Sequence, residues 1–140
     1  MKNRAFLSIL EQILMILIFA LAASLCLRGF FLANTVSKDR EVLDLAVFSA
    51  QNTAETLKST KGDLICSAEK LSGTAADNKL TVFYDSDGNA VKSEKDACYT
   101  LTAVKTADGS ALVESAHISV IYKSEIIFEI DAVWQKGGNS

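Results

Sequence analysis

Proline is absent from this chain of 140 residues, and histidine and tryptophan occur only once each. Without proline, nothing forces a break in a helix, so a long N-terminal helix can continue into the residues that follow it. The single histidine, His117, has no predicted partner for acid–base catalysis. Because phosphate-binding glycine loops, nucleophile elbows and zinc-ligand spacings are also missing, we expect neither an enzyme nor a cofactor.

A basic cluster is also missing. Of the 14 Lys and Arg residues and the 17 Asp and Glu residues, only Lys2, Arg4, Arg28 and Glu11 precede Asn34, which leaves 11 basic and 16 acidic residues beyond it. Binding to nucleic acid requires a concentrated positive surface. We therefore expect no nucleic-acid partner.

A long apolar segment dominates the first part of the chain. Residues 13–27 carry no charge, and apolar residues continue past Arg28 to Ala33. Counted from Ala5, the segment is long enough as a helix to cross a hydrocarbon layer of about 30 Å. Lys2 and Arg4 precede it, which predicts a cytoplasmic N-terminus. The sequence thus predicts a single-pass membrane protein with a leader and transmembrane segment at 1–33 and an extracytoplasmic domain at 34–140.

The helical pattern continues beyond the apolar segment. Apolar residues recur there at helical spacing, which predicts one face packed against other parts of the protein. We expect the helix to end near Thr60, since Gly62 suits the left-handed position that follows a helix. The predicted apolar stripe consists of Val36, Leu43, Val47, Ala50, Ala54 and Leu57.

The rest of the chain predicts a second helix and then strands. Asp63 is placed to cap a short helix that Gly73 would end, and Thr74–Asn78 is expected to be a loop. After Lys79 the apolar pattern changes to alternation, and short turn sequences separate the alternating segments. Short connections favour antiparallel pairing. The predicted fold is α+β, a long N-terminal helix packed on a small antiparallel sheet with turns at 85–89 and 108–109 and strands near 80–84, 97–105, 117–123 and 126–135.

Two cysteines lie in the predicted outer domain, Cys66 and Cys98. They permit one disulfide outside the cytoplasm. Free cysteines are, however, among the most frequently buried residues. Both alternatives, a bridge and two buried thiols, remain open from the sequence.

Glu11 is the most unusual residue of the apolar segment, because a carboxylate at the edge of a membrane span is costly and is a functional candidate by default. The alternative is a solvated position in the headgroup region, beside Gln12 and near Arg4 on the same side of the helix. The sequence alone leaves both interpretations possible.

The segment from Phe6 to Ser24 resembles the start of type IV pilins and of the pseudopilins of type II secretion and competence systems. In those families a basic leader precedes a phenylalanine, a nearby glutamate and an apolar half-helix, which continues into an amphipathic half packed on an antiparallel sheet. A prepilin peptidase cuts after a glycine that precedes the phenylalanine, and the glutamate is the fifth residue after cleavage. Here Ala5 replaces the glycine, and Glu11 is sixth counted from Phe6.

The resemblance implies a structural role, as a minor pilin or pseudopilin held in the inner or cytoplasmic membrane and assembled with other pilin-like subunits, in some systems at the cell surface. Ala5 and Phe6 would form the processing site, with prepilin peptidase as a partner. Glu11 would contact a neighbouring subunit's terminal amine, and the exposed sheet face would meet partners. The helix-packing residues would be Ile13, Leu14, Ile16, Leu17 and Leu21.

Other classes of protein share the same N-terminal pattern. A secretory signal peptide with small residues at Ala20 and Ala22 would leave a soluble binding domain. Leu25-Cys26 weakly resembles a lipoprotein site. A membrane-anchored sensor or binding module unrelated to pili is the third possibility.

Overall fold

One helix, α1, spans Lys2–Ser59 in the computed structural model, which describes residues 2–106 and 112–136. This confirms the prediction of one uninterrupted helix. The helix ends where Lys61 and Gly62 adopt left-handed backbone angles and the Gly62 amide donates to the Leu57 carbonyl at 2.8 Å. A hydrogen bond of this kind, from an amide just beyond the helix, satisfies one of the carbonyls that a helix leaves unpaired at its end.

The chain divides into two compact units, Met1–Arg40 and Glu41–Ser140. The described part of the first unit is helical throughout, and all of its side chains are exposed. By length and composition, α1 is the one helix in the described chain that could cross a membrane; its most apolar window has a mean hydropathy of 2.3, and none of that window is buried. A helix that is apolar on all sides and exposed in water is unfavourable, whereas lipid can cover it.

The second unit contains the end of α1, a short helix and one antiparallel sheet. Helix α2 spans Leu64–Leu71, and a single 3₁₀ turn spans Glu94–Asp96. The strands are β1 Thr74–Ala76, β2 Lys79–Tyr84, β3 Ala90–Val91, β4 Tyr99–Thr106, β5 Val113–Tyr122 and β6 Glu125–Gln135. The sheet order is β1-β2-β4-β5-β6, and β3 pairs with β2 on the edge that β1 also uses.

The register of the strands divides the sheet into two faces. Leu80, Ala103, Ile118 and Ile130 lie in one row across β2, β4, β5 and β6. This inner face packs with the last turns of α1 in a single core, which confirms the predicted α+β fold. The core includes Val42, Ala46, Ala50, Ala54 and Leu57 from α1 and, among others from the sheet, Leu80, Val82, Leu101, Ile118 and Val120.

The buried side of α1 differs from the predicted stripe. Ala50, Ala54 and Leu57 are buried as expected, but Leu43 is 38% exposed and Val36 44% exposed. The remaining buried positions are Val42, Ala46, Ser49 and Thr53. The prediction was wrong at its N-terminal end because it followed apolar spacing from Val36 and Leu43, whereas the buried side of the helix runs through Val42 and Ala46 and includes the polar Ser49 and Thr53.

Two local predictions also need correction. Thr74–Asn78 is not a loop, since β1 pairs with β2 through a two-residue turn in which Asp77 and Asn78 both have positive φ. The α2 helix begins at the predicted cap, Asp63, but ends with Ser72 in the left-handed position rather than with Gly73. The short strand β3 was not predicted. The predicted turn at 108–109 lies outside the described residues.

A β-bulge interrupts the pairing of β5 with β6. Val120 pairs with Phe128, but Ile121 pairs with Ile126, so Ile127 is an extra residue on β6. An extra residue on one strand shifts the register of everything beyond it by one position. The shift places Ile118 opposite Ile130 and His117 opposite Asp131.

Candidate functional site: the apolar helix and the outer face of the sheet

The predicted assembly contact, Glu11, lies in the first unit on α1. Its side chain is exposed and lies at a shallow depression of about 350 Å³ with Ser8, Gln12, Met15 and Ile16. Within residues 2–106 and 112–136 its carboxylate forms no ion pair or side-chain hydrogen bond. An exposed carboxylate in this position is available to a positive group from outside the chain.

The predicted processing and packing residues are on the same helix. Ala5 and Phe6 are both exposed and lie within α1. The five predicted packing residues occupy one broad side of the helix, since their positions fall within about half a turn at 100° per residue. All five are more than half exposed, so their apolar surface is open to contacts: Ile13, Leu14, Ile16, Leu17 and Leu21.

Cys66 and Cys98 are free, and Cys26 is free as well. In this structure the two thiols of the outer domain are therefore not bridged, and both residues are half-buried.

The outer face of the sheet carries a cluster that sequence reasoning missed. His117 on β5 approaches Asp131 on β6 through Nδ1 and Oδ1 at 2.6 Å, and its Nε2 lies 3.4 Å from Glu129 Oε1. The hydrogen bond to Asp131, followed by that to Glu129, raises the pKa of His117. Alternation on β6 already predicted that Glu129 and Asp131 share a face. Which residue of β5 lies opposite them, however, depends on the bulge.

A second ion cluster lies at the start of β5 and the end of β6. Glu114 Oε2 accepts a hydrogen bond from Trp134 Nε1 at 3.2 Å and lies 2.8 Å from Lys105 Nζ. The hydrogen bond from Lys105 lowers the pKa of Glu114. Because each member is satisfied by the others, this cluster fixes the indole ring in place rather than presenting a reactive group.

The buried tyrosines form a structural network. The Tyr84 and Tyr99 rings stack with centroids 5.1 Å apart, and the Tyr99 hydroxyl lies 2.9 Å from Ser49 Oγ on α1. Burial raises the pKa of both tyrosines. Neutral, hydrogen-bonded hydroxyls of this kind join the helix to the sheet and leave no free nucleophile.

The turn at Asp85–Asn89 is closed by its own backbone. Asp85 Oδ1 accepts hydrogen bonds from the amides of Asp87 and Asn89 at 2.9 and 2.8 Å. These amide contacts, chiefly the one with Asn89, lower the pKa of Asp85. In the part of the chain that the structure describes, no group of three His, Cys, Asp or Glu side chains is placed to hold a metal ion.

Comparisons with protein-family models, curated proteins and solved structures found no match to this chain.

Proposed function

We propose that this protein is a membrane-anchored structural subunit of pilin type, a minor pilin or pseudopilin that assembles with other such subunits through the apolar part of α1. The observation that carries the proposal is the exposure of apolar side chains on every side of the helix before Arg40, with Glu11 near its start. A bilayer covers such a surface before assembly, and neighbouring helices cover it afterwards.

The orientation follows from the charges around the span. Lys2 and Arg4 retain the N-terminus in the cytoplasm, and the unit that begins at Glu41 lies outside the cytoplasm. In this proposal the chain is a component of a fibre or of a secretion-type complex, not a catalyst, and the prepilin peptidase acts on the bond between Ala5 and Phe6.

Glu11 supplies the specific contact in the proposed assembly. A carboxylate at the edge of a span costs free energy on insertion, and a positive terminus of a neighbouring subunit compensates for it. If the leader is retained, Lys2 or Arg4 of the neighbour provides the positive charge instead. The packing surface is the side of the helix that carries Ile13 and Leu17.

Co-purification of tagged and untagged copies from membranes tests this proposal. Glu11→Gln preserves the shape of the side chain and removes its charge, so insertion is unchanged while capture of the untagged copy falls several-fold. Glu55→Gln, an exposed change on the second unit, is the matched control and leaves capture unchanged. Equal capture by the Glu11→Gln variant and the unmodified chain would falsify the assembly role of Glu11.

The mass of the mature protein distinguishes this proposal from a secreted binding domain. Processing at Phe6 removes the first five residues, whereas cleavage after Ala22 as a signal peptide removes 22 residues. A simple membrane-anchored sensor retains its whole N-terminus. Loss of 22 residues would remove the membrane anchor and overturn the structural role.

A further inference from the structure

Among the described strands β6 is the last in the sheet order, and one of its two edges is unpaired. It spans 11 residues and pairs with β5 along one edge. Within residues 2–106 and 112–136 no other strand pairs with it. An edge strand of this length presents a row of backbone amides and carbonyls that can bind another extended segment.

The charges along this edge select the kind of segment. Glu129 and Asp131 lie on the outer face of β6, and their side chains are 49% and 72% exposed. Neither β5 nor β6 contains a lysine or an arginine. His117 approaches the two carboxylates from the β5 side, which leaves the open side of both without a positive neighbour in the described chain.

The inner face of the same edge is apolar. Ile130 and Phe128 are half-buried and pack against the core. On the outer face, Val133 follows Asp131 at the next position of the same row and is exposed. Along β6, the outer face therefore carries two acidic residues and one apolar residue, and the alternating positions on the inner face are apolar.

We propose that the open edge of β6 binds an extended basic segment of another protein, which adds to the sheet as an antiparallel strand. Directly opposed side chains in such a pair have Cβ atoms about 5 Å apart. Two basic residues at alternate positions would face Asp131 and Glu129, and a preceding apolar residue would face Val133. The intervening residues would be apolar and would cover Ile130. This inference concerns the second unit and does not depend on the role proposed for Glu11.

A second copy of the chain fits this edge less well. Antiparallel pairing of two β6 strands in the register of greatest overlap is centred on Ile130, and it would place Glu129 of each copy opposite Asp131 of the other. Like charges directly opposite each other are unfavourable in a sheet. The same carboxylates that oppose pairing between copies favour a basic strand.

The probe is the synthetic peptide Thr-Val-Val-Lys-Val-Lys-Val, labelled for fluorescence anisotropy and titrated with the full chain in detergent micelles. It is expected to bind, and replacing both lysines by glutamate is expected to abolish binding. Neutralising both carboxylates with Glu129→Gln and Asp131→Asn should weaken binding about five-fold, as expected for two cross-strand charge pairs. The control Asp44→Asn with Glu55→Gln changes the net charge equally on exposed helical positions and should stay within about two-fold.

Backbone methylation distinguishes strand addition from simple charge attraction. Two versions of the peptide carry N-methyl groups at alternate residues, one version in each phase. In strand addition one phase blocks the amides that face β6 and abolishes binding, while the other phase blocks the far edge and retains it. Equal binding by both phases, or no binding by the unmodified peptide, would overturn the proposal and leave the acidic edge as a protection against pairing. Self-association of the chain that the peptide displaces would likewise overturn it, by identifying a second copy as the occupant.

Discussion

Gly62 lies against the indole ring of Trp134, so closely that a Cβ added to Gly62 would come within 2.6 Å of the ring atom Cζ2. Gly62 also has a φ of +79°, a backbone conformation that favours glycine. The ring also donates a hydrogen bond from Nε1 to Glu114. The turn after α1 is thereby fixed to β6, at the opposite end of the chain from the apolar segment.

Gly62→Ala should destabilise the second unit by about 2–4 kcal/mol, because the new methyl group meets the indole and the residue is held in the left-handed region. Trp134 is the only tryptophan, so its fluorescence reports urea unfolding of the full chain in detergent directly. The neighbouring Lys61→Gly is the matched control. Lys61 has a φ of +53°, a backbone conformation that is unfavourable for residues other than glycine. This change should therefore stabilise the second unit by about 1 kcal/mol. Equal midpoints for all three proteins would contradict both expectations.

The hydrogen bond between Ser49 and Tyr99 should show measurable coupling. Both groups are buried, and their oxygens are 2.9 Å apart. In a double-mutant cycle, Ser49→Ala and Tyr99→Phe should have an interaction energy of about 1 kcal/mol, since either single change leaves one buried hydroxyl without this partner. Tyr122→Phe, on a half-buried tyrosine, serves as the comparison. Strict additivity of the two single changes would exclude an energetic contribution from this bond.

Charges introduced at two neighbouring positions of α1 should have very different effects. Ala46 is fully buried, so Ala46→Asp should cost about 3 kcal/mol or more in the free energy of unfolding. Leu43 is 38% exposed, so Leu43→Asp should cost less than about 1 kcal/mol, because its carboxylate can remain in water. Denaturant unfolding of both variants measures the difference. A larger loss of stability for Leu43→Asp than for Ala46→Asp would support the stripe predicted from the sequence and contradict the burial observed along α1.

His117 should titrate above the ordinary histidine pKa of about 6.5. Its contacts with Asp131 and Glu129 favour the protonated form, so their contribution to stability is present below pH 6.5. That contribution is lost as the pH rises through the folded-state pKa. As the only histidine, His117 gives unambiguous ring signals in an NMR titration. Asp131→Asn should lower its pKa, whereas Glu125→Gln at the start of β6 should not. An unchanged His117 pKa in the Asp131 variant would rule out the ion pair.

The sequence predicts those elements in which several residues together show a helical or alternating pattern, or a clear capping residue. The long helix, the cap at Asp63 and the alternation of Leu80, Val82 and Tyr84 all follow from local chemistry. The two shortest strands do not, because β1 and β3 have three and two residues and exist through their pairing with β2. A period cannot be recognised in so few positions.

The outer-face cluster could not be predicted from the sequence for a related reason. Lys123 and Ser124 form a two-residue turn with positive φ, and a regular hairpin from that turn would place His117 opposite Ile130. It would also place Ile118 opposite Glu129, so that a residue of the inner face would pair with a residue of the outer face. The bulge at Ile127 restores the match between Ile118 and Ile130 and brings His117 to Asp131. Only the balance of packing across the whole sheet determines that one-residue shift.

The strand order also has a consequence for how the second unit folds. Apart from the short strand β3, each strand pairs with the one that follows it in the chain, from β1 to β6. Contacts between sequence neighbours require small loops to close, and a low contact order is associated with fast folding. The sheet can therefore grow hairpin by hairpin during synthesis, with each new strand joining a template already in place. Among the described strands β6 is made last, so the growing edge of this part of the nascent sheet becomes the edge to which no described strand pairs.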